Sequence, residues 1–256
     1  MLEKAEPNKP ELSLVVPCYN EGLTIGTTMP PLAAAFLNAG VDLEMILVDN
    51  GSSDNTSEVI DSLIARGLPI QKGIVHVNRG YGLGVLTGLR MARGKSVGFI
   101  CADGQVGPKE ALEVYQLLQT APGPALAKAR RRFRKDSLTR KVVSVFFNGL
   151  MLVVFPGIAS IDINGNPKFM DTETMKRMDL SSTDWFLDAE VVIKASHMQL
   201  KVLERNVPGF AREAGRSHVR WGASVEFLRN ILTYRLGSSW RSWRKQVAMV
   251  TEAPVA

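Results

Sequence analysis

The first half of the chain alternates short apolar runs with segments in which apolar residues recur at helical spacing. The apolar runs predict four strands, at 12–17, 43–48, 74–77 and 96–101. The segments that follow them predict four helices, at 28–38, 57–65, 82–92 and 108–119. Strands that alternate with helices indicate βαβ units, whose strands are parallel. We therefore predict an α/β, Rossmann-like fold with a mostly parallel central sheet.

The pattern in the second half of the chain is less regular. In chain order it predicts a helix, a polar loop or strand, a second helix and a strand, at 137–155, 161–169, 184–198 and 202–207. Residues 224–249 form an amphipathic, basic, tryptophan-bearing stretch with helical spacing. Because no internal repeat or linker interrupts the chain, we interpret residues 1–223 as one domain and residues 224–256 as an amphipathic helical extension and tail.

Each predicted strand of the first half ends in a polar cluster. The first strand is followed by CYNEG, the second by DNGSSDNT, the third by NRGYGLG and the fourth by ADGQ. Ligands of open parallel sheets bind outside the carboxyl ends of the strands. The sequence therefore predicts a binding site along this edge of the sheet.

The cluster after the fourth strand carries two side chains with oxygen atoms. Asp103 and Gln105 lie two residues apart in a loop, so both oxygens can face one point. Mg²⁺ prefers such oxygen ligands, usually together with substrate phosphates and water. An Asp after a strand also serves as a turn or helix cap, so the pair indicates a metal site only in company with other signals.

The glycine-rich loop at 78–88 invites comparison with dinucleotide-binding loops. The G-x-G-x-x-G fingerprint fails here, because Thr87 stands where the last glycine belongs after Gly82 and Gly84. A G-x-x-x-x-G-K-[ST] phosphate loop is also missing from the sequence. The glycines instead suit a tight turn and close helix packing, and hydride transfer is disfavoured.

The composition is that of a globular protein with an excess of positive charge. Hydrophobic residues make up 45% and charged residues 22%, and the net charge of +6 favours an anionic partner, namely a nucleic acid, a nucleotide or an acidic membrane surface. Much of that charge lies at 128–141, which is either a solvated basic loop or an anion-binding stretch. No apolar run reaches the roughly 20 residues of a membrane span, and the first residues do not resemble a signal peptide. We therefore expect a cytoplasmic protein without a disulfide framework.

Together the four loops resemble a known family. VVPCYNEG at 15–22, LVDNGSSDNT at 47–56, NRGYGLG at 78–84 and CADGQ at 101–105 resemble, in order, the signatures of family 2 glycosyltransferases, which have the GT-A fold. The second half is similar to the branch that glycosylates polyprenyl phosphates, the dolichyl-phosphate mannose synthases among them. The segments that carry this similarity are RRRFRKDSLTR, IDINGNPKF, WFLDAE and VPGFAREAGRSHVRW.

The resemblance implies donor-binding roles for particular residues. For the base and ribose of the nucleotide it implies Pro17, Tyr19, Glu21, Val48 and Asn50. For the diphosphate and a metal ion, Mg²⁺ or Mn²⁺, it implies Ala102, Asp103 and Gln105, of which Asp103 and Gln105 are the metal ligands. It further implies that Arg212 and Arg220 clamp the diphosphate, for which exposed surface charge is the alternative interpretation.

Two residues depart from the family pattern. Cys101 stands where the metal motif Asp-Ala-Asp has its first acid, and Asn50 stands where a second Asp is common. A thiol is a poor ligand for a hard cation. Metal binding is therefore expected to depend on Asp103, Gln105 and the nucleotide, and loss of metal dependence is the alternative.

For the acceptor, the polyprenyl-phosphate branch has phosphate-binding positions that match Arg130, Arg140 and Ser144. The planar guanidinium of arginine suits such a group. Asp162 is implied as a base or as an orienting residue, and Asp188 is interpreted as a structural acid at a helix start. The candidate catalytic residues are thus Asp103, Asp162 and Arg140.

The expected reaction is inverting transfer of a hexose from a UDP- or GDP-sugar to a polyprenyl phosphate. A phosphate monoester is largely ionised at neutral pH and needs positioning, whereas a hydroxyl acceptor, the alternative, needs a general base. A non-catalytic nucleic-acid-binding protein is a remote alternative, and we expect no nucleic acid partner. The basic, amphipathic stretch after residue 224 predicts peripheral contact with the cytoplasmic face of a membrane, although packing onto the domain explains its apolar residues equally well.

Overall fold

The computed structural model of the protein describes residues 9–132, 149–158, 160, 162–208 and 223–252. Within these ranges the strands are β1 (Leu12–Cys18), β2 (Leu43–Asn50), β3 (Ile70–Val75), β4 (Ser96–Phe99), β5 (Ala125–Arg132), β6 (Lys168–Asp171) and β7 (Lys201–Pro208). The helices are α1 (Gly22–Asn38), α2 (Thr56–Ala65), α3 (Tyr81–Met91), α4 (Pro108–Gln119), α5 (Thr172–Met178), α6 (Leu187–His197), α7 (Ala223–Leu236) and α8 (Ser238–Glu252). Residues 149–154 are also helical.

One sheet contains all seven of these strands, in the order β3-β2-β1-β4-β6-β5-β7. Strands β3, β2, β1 and β4 are parallel, and β6 runs antiparallel to its neighbours β4 and β5. At the far edge β7 is again parallel to β5. The predicted α/β fold with a mostly parallel sheet is therefore confirmed.

The core lies on both faces of this sheet. Successive residues of a strand point to opposite faces, so Leu14 and Val16 pack on one face and Val15 on the other. Every residue of β1 and β2 is buried, which explains why these strands are almost continuous apolar runs. The polar residues that follow them are thereby held at the edge of a rigid sheet.

Strand β5 corrects one interpretation of the basic stretch. Residues up to Arg132 belong to a strand in the sheet and are not a solvated loop. The side chain of Lys128 is 0% exposed, and its ammonium group donates to the carbonyl oxygens of Ala129 (3.1 Å) and Asp162 (2.6 Å) and to Glu204 (3.2 Å). These partners allow a charge to be buried where the sequence suggests solvent.

Two element boundaries also differ from the sequence prediction. Helix α1 begins at Gly22, six residues before the predicted start, because the loop before it is held by side-chain contacts to the next loop. Strand β3 occupies Ile70–Val75 and not 74–77. It is the outer strand of the sheet, and its polar residues interrupt the apolar run from which a strand is predicted. The predicted helix at 137–155 falls partly outside the described residues, and 149–154 is helical as predicted.

The C-terminal helices α7 and α8 pack onto the domain. Ile231, Trp240 and Trp243 are at most 5% exposed and belong to the core cluster on one face of the sheet. The indole nitrogen of Trp243 donates to the carbonyl oxygen of Arg177 (3.0 Å). Packing onto the domain therefore accounts for the burial of these two tryptophans. In the parts of the chain that the structure describes, no helix combines the length and apolar character that crossing a membrane requires.

Candidate active site at the carboxyl ends of the parallel strands

The loops that follow β1 and β2 are tied to each other by hydrogen bonds. The backbone N–H of Asn20 donates to Ser52 Oγ (3.1 Å), and the Asn20 side-chain oxygen accepts from the backbone of Ser53 (2.8 Å). The next backbone N–H, that of Glu21, donates to Thr56 Oγ1 (2.9 Å). Asn20 has a φ of 54°, a left-handed conformation that asparagine tolerates. The two loops therefore form one preorganised border of the site, at which Tyr19 is half-buried and Glu21 buried.

The glycine-rich loop closes against the ends of the same strands. Asn50, the last residue of β2, is 2% exposed and donates from Nδ2 to the carbonyl oxygen of Gly80 (2.9 Å). A Cβ atom at Gly84 would lie 3.0 Å from Pro17 Cβ and 3.1 Å from the Asn50 amide. The structure thus brings Pro17 and Asn50 together, as predicted from their loops. Val48 lies beside them in β2, but its side chain is fully buried in the core.

Asn50 also carries a buried acceptor. Its Oδ1 atom has no hydrogen-bond partner among the residues described. Buried polar atoms are normally paired, and an unpaired one costs about 1–3 kcal/mol. A ligand with an N–H group at this position would supply the missing partner.

The turn after β4 contains the predicted metal ligands. The carboxylate of Asp103, which is 7% exposed, accepts from the backbone N–H of Gln105 (3.1 Å). Between them Gly104 has a φ of 67°, which glycine adopts without strain. The carbonyl oxygen of Ala102 accepts from Thr28 Oγ1 on α1 (3.4 Å). Asp103 and Gln105 are therefore in one fixed turn at the carboxyl end of β4.

The metal ligands available in this turn fit an ion that is also coordinated by a substrate phosphate. Among the described residues no three His, Cys, Asp or Glu side chains are grouped as a metal cluster. Mg²⁺ is commonly bound by one or two carboxylates together with substrate phosphates, and Asp103 supplies one such carboxylate. Burial, followed by the charges of Asp103 and Asp188, raises the pKa of Cys101 far above its usual value. Burial therefore favours the neutral thiol of Cys101, and a thiol is a poor ligand for a hard cation.

A buried polar network behind Cys101 was not predicted from the sequence. Lys168 and Asp188 form a short ion pair, and their side chains are 0% and 4% exposed. Asn166 Nδ2 lies 3.2 Å from Asp188 Oδ2, 3.4 Å from the Tyr81 hydroxyl and 3.9 Å from Cys101 Sγ. Asp188 is thus the partner of a buried lysine as well as an acid at the start of α6.

The ring of Tyr81 continues this network toward the surface. It stacks on Trp185, with ring centroids 4.6 Å apart and planes 4° apart. Lys168 and Asp188 belong to different secondary-structure elements. No local pattern in the sequence therefore predicts that they form a pair. The only signals available were the segments NPKF and WFLDAE, which the sequence shows as charged residues within apolar surroundings.

Asp162 is held by Arg131 of β5. Its carboxylate accepts from the Arg131 backbone N–H (2.9 Å), from Nε (3.1 Å) and from Nη2 (2.9 Å). Burial alone would raise the pKa of Asp162, but the hydrogen bonds and the charge of Arg131 outweigh burial and lower the pKa to about 2. A carboxylate with so low a pKa is a weak proton acceptor. Of the two roles expected for Asp162, the geometry favours orientation of Arg131.

The remaining predicted acceptor and diphosphate residues are only partly described. Arg130 is half-buried in β5, with Nη1 3.9 Å from Glu204. The other four of these residues lie outside the described residues: Arg140, Ser144, Arg212 and Arg220. The structure therefore describes the residues proposed for the donor at the carboxyl ends of β1, β2 and β4, and of the acceptor and diphosphate set it describes only Arg130.

Comparison with protein families decides the assignment. Residues 13–190 match the model of the family described as Glycosyl transferase family 2. The chain belongs to glycosyl transferase family 2. The resemblance inferred from the four strand-end loops is thereby confirmed.

Two curated relatives of this family 2 glycosyltransferase are enzymes named for polyprenyl-phosphate substrates. An undecaprenyl-phosphate 4-deoxy-4-formamido-L-arabinose transferase of Aeromonas hydrophila subsp. hydrophila is 30% identical over 139 residues, which cover 54% of this chain and 42% of that protein. The dodecaprenyl-phosphate galacturonate synthase of Rhizobium johnstonii is 29% identical over 223 residues, which cover 85% of this chain and 63% of that protein. The chain therefore spans less than two thirds of the length of either relative.

Solved structures confirm the fold. The glucosyl-3-phosphoglycerate synthase from Mycobacterium tuberculosis, in complex with Mn²⁺, UDP and phosphoglyceric acid, superimposes with a TM-score of 0.70 at 21% identity. The match covers 89% of this chain and 79% of that one. The GT-A fold expected for a family 2 glycosyltransferase is the fold observed.

Proposed function

We propose that this family 2 glycosyltransferase transfers a hexose, with inversion, from a nucleoside diphosphate sugar to a polyprenyl phosphate. The observation that carries the proposal is the fixed turn of Asp103 and Gln105 at the carboxyl end of β4, beside the tied loops after β1 and β2. Both relatives described above are named for polyprenyl-phosphate substrates, which supports the acceptor part of the proposal.

The nucleotide binds, in this proposal, between the loop after β1 and the glycine-rich loop. Pro17, Tyr19 and Glu21 border the base and ribose on one side, and Asn50 borders them on the other, where Val48 takes part through its backbone because its side chain is buried in the core. The buried Oδ1 of Asn50 accepts a hydrogen bond from the base. Uracil and guanine both present a ring N–H, so this contact suits a UDP-sugar and a GDP-sugar alike.

The diphosphate lies at the turn after β4. Asp103 and Gln105 would hold Mg²⁺ or Mn²⁺, whose charge offsets the negative charge that develops on the departing diphosphate. The solved relative contains Mn²⁺ and UDP, which supports a divalent cation here. Arg212 and Arg220 complete the clamp on the diphosphate in this proposal.

The acceptor phosphate approaches from the side of β5. Arg130, Arg140 and Ser144 position it, and Asp162 orients the neighbouring Arg131 through the three hydrogen bonds described above. The phosphate is already ionised near neutral pH, so the reaction requires positioning and not a general base. Because the acceptor is a lipid, the enzyme works in peripheral contact with a membrane, and we place it on the cytoplasmic face.

The test is an assay with defined donors and acceptors. The purified chain, Mg²⁺ and a panel of UDP- and GDP-hexoses are incubated with polyprenyl phosphate, with the phosphate-free polyprenol or with a simple sugar, and products are detected by mass spectrometry. We expect a glycolipid from one donor and polyprenyl phosphate only. Product formation on the simple sugar instead would show that the acceptor is a hydroxyl compound.

Variants connect that product to the site. Replacement Asp103→Ala is expected to lower the rate by roughly 100-fold or more, the usual cost of losing a group that stabilises transition-state charge, and Arg140→Ala is expected to lower it less. Asp61→Asn, which alters an exposed carboxylate on α2, serves as the control without effect. If a donor binds but no acceptor reacts, the acceptor assignment fails; if no donor binds, the donor assignment fails too.

A further inference from the structure

A cavity of about 480 Å³ lies between residues 154–158, α6 and the C-terminal helices, outside the candidate active site. Its volume is within the range of small-molecule sites, which is roughly 300–1,000 Å³. The apolar part of its lining is Val154, Phe155, Pro156, Ile158, Ile193 and Trp240. The polar part is Ser196, His197, Gln199, Arg235 and Arg244. The cavity therefore combines an apolar wall with positive charge.

Two polar atoms of the lining residues are buried without partners. Trp240 is 5% exposed, and its indole Nε1 has no hydrogen-bond partner within the described ranges. The buried Oγ of Ser196 likewise has no hydrogen-bond partner among those residues. The neighbouring Trp243, by contrast, donates its indole N–H to a backbone carbonyl. A ligand oxygen in the cavity would satisfy the indole N–H.

The two arginines at the cavity are available for an anion. Both side chains are exposed, and the described residues give neither of them an ion pair. The guanidinium of Arg244 lies over the Trp240 ring, 5.7 Å from its centroid, which places its charge beside the unpaired indole. Guanidinium groups bind phosphate through a planar pair of N–H donors. The positive charge and the unpaired donor therefore select the same kind of ligand group, an oxyanion.

The surroundings of the cavity are apolar at the protein surface. Val153, next to Val154, is 79% exposed, and Leu236, next to Arg235, is 68% exposed. Exposed apolar side chains beside basic residues are typical of protein surfaces that enter the headgroup layer of a membrane. A free phosphate ion would leave the apolar wall of the cavity uncovered, whereas an amphiphilic anion covers both parts of the lining.

The cavity is separate from the reaction site. Asp188, whose network reaches Cys101, and Ser196, which lines the cavity, are eight residues apart on α6. At 1.5 Å per residue this separation is about 12 Å along the helix axis. A reacting phosphate must come within about 3–3.5 Å of the sugar carbon, so a headgroup in the cavity is not the acceptor phosphate.

We propose that this cavity is a binding site for an anionic phospholipid of the membrane surface, with its phosphate on Arg235, Arg244 and the Trp240 indole and its first acyl carbons on the apolar wall. The site would hold the C-terminal helices at the membrane independently of catalysis. It goes beyond the proposed transfer reaction, since it requires neither a sugar donor nor a polyprenyl acceptor.

Binding is tested with a lipid probe that forms no membrane. Short-chain phosphatidylglycerol, below its micelle concentration, is titrated into the full chain by calorimetry without donor sugar. We expect saturable binding with one lipid per chain, at least 10-fold weaker in Arg235→Gln/Arg244→Gln. The matched control Arg229→Gln/Lys245→Gln removes the same charge from exposed positions of the same two helices and is expected to bind within about twofold of the unmodified chain, since exposed charges at a distance are screened.

A second measurement reports contact at Trp240 directly. The chain has four tryptophans, so the indole N–H signal of Trp240 can be assigned by its loss in Trp240→Phe. We expect that signal to shift on titration with phosphatidylglycerol in the unmodified chain. An unchanged melting temperature of Arg235→Gln/Arg244→Gln shows that the variant is folded.

The other outcomes overturn the proposal. Equal binding of short-chain phosphatidylcholine would identify an apolar groove without charge selection, and equal binding of glycerol phosphate would identify a site for soluble phosphates. Displacement of the lipid by a short prenyl phosphate, at lower concentration than phosphatidylglycerol itself, would assign the cavity to the acceptor. Absence of binding, or equal binding by Arg235→Gln/Arg244→Gln, would leave no lipid site at this position.

Discussion

The two halves of the sheet organise their functional polar residues in different ways. In the half formed by β3, β2, β1 and β4, the residues that border the candidate site lie in the last positions of the strands and in the loops that follow, and hydrogen bonds join or stiffen these loops. In the half formed by β6, β5 and β7, the strands themselves carry charges, and Lys128 and Lys168 are fully buried. The site residues of the first half therefore depend on contacts between neighbouring loops, whereas the second half places fully buried lysines in ion pairs within the sheet.

This difference determines what each half tolerates. Substitution of a loop residue at a strand end leaves no unpaired charge in the core. A buried ion pair has little net effect on stability while intact, but removal of one partner leaves an unpaired charge that costs about 3–5 kcal/mol. We therefore expect conservative substitutions to damage folding in the second half and ligand binding in the first.

The largest effect is expected for the buried pair of β6 and α6. Replacement Lys168→Met leaves the Asp188 carboxylate in the core with the weaker donor of Asn166, its other side-chain partner among the described residues. The free energy of unfolding, measured with urea, is expected to fall by about 3–5 kcal/mol. Addition of Asp188→Asn removes the orphaned charge and is expected to recover part of the loss.

The control for this comparison is an exposed lysine. Lys176 pairs with Glu173 on the surface of α5, where both side chains are more than half exposed. Such pairs contribute little, so Lys176→Met is expected to leave the unfolding curve unchanged. If Lys168→Met were as mild as Lys176→Met, the distinction between the two halves of the sheet would be wrong.

A second, intermediate effect depends on pH. The pKa of Asp162 is about 2 in the folded chain, against about 3.9 in an unfolded chain. A lowered pKa stabilises the fold above the unfolded value, and this stabilisation is lost as the pH falls from about 4 to about 2. Asp162→Asn is therefore expected to cost about 2 kcal/mol at pH 7, a cost that shrinks over that acidic interval.

Unfolding with urea at a series of pH values measures this window. Asp61→Asn is the control, because Asp61 is 62% exposed and pairs with Lys72 at the surface. A stability difference between Asp162→Asn and the unmodified chain that stays constant down to pH 2 would mean that folding does not lower the pKa of Asp162.

The two halves also differ in how far the sequence predicted them. The strands β1, β2 and β4 and the polar turn of Asp103 and Gln105 follow from local patterns, because apolar runs and turn residues are read within a few positions. Strand β5 was not predicted, because the run of basic residues that begins at Lys128 is typical of a solvent-exposed segment. The sequence does not show that the Lys128 ammonium donates to the carbonyl oxygen of Asp162 and to Glu204, which come from distant parts of the chain, as well as to its neighbour Ala129.

The candidate site shows the same limit. The roles of Asp103 and Asn50 were implied by the family resemblance of the strand-end loops, and the structure places both residues at strand ends. The link from Cys101 through Asn166 to Asp188 was not inferred, since it joins three elements whose contact is set by the sheet order. Charges that pair over a long distance in the chain leave no periodic pattern in the sequence, whereas the loops at the strand ends have a recognisable composition.

A smaller effect is expected where the glycine-rich loop meets the strands of the first half. Gly84 lies in the first turn of α3. In Gly84→Ala the new Cβ would lie 3.0 Å from Pro17 and 3.1 Å from Asn50, so the start of this helix must shift by a few tenths of an ångström. We expect a loss of stability of about 1 kcal/mol and weaker nucleotide binding, measured by urea unfolding and by titration with UDP and GDP. Gly123→Ala, with open space around it, is the matched control.

The smallest expected effect is a change in the pKa of His197, which lines the proposed lipid cavity and lies outside both halves of the sheet. Burial, followed by the charge of Arg244, lowers the pKa of His197 below its usual value. Because the folded pKa is lowered, protonation of His197 opposes folding as the pH falls below about 6.5. Arg244→Gln removes the charge but not the burial, so the pKa of His197 is expected to rise only part of the way to its ordinary value.

An NMR titration of the histidine ring signals measures this shift. The chain has three histidines, and loss of one signal in His197→Asn assigns the one that matters. Lys245→Gln, which changes an exposed charge next to Arg244, is expected to leave the pKa unaltered. Phosphatidylglycerol bound at Arg244 would offset the same charge, so the lipid should raise the pKa of His197 in the unmodified chain and much less in Arg244→Gln. A lipid-induced rise that persists in Arg244→Gln would place the headgroup elsewhere on the protein.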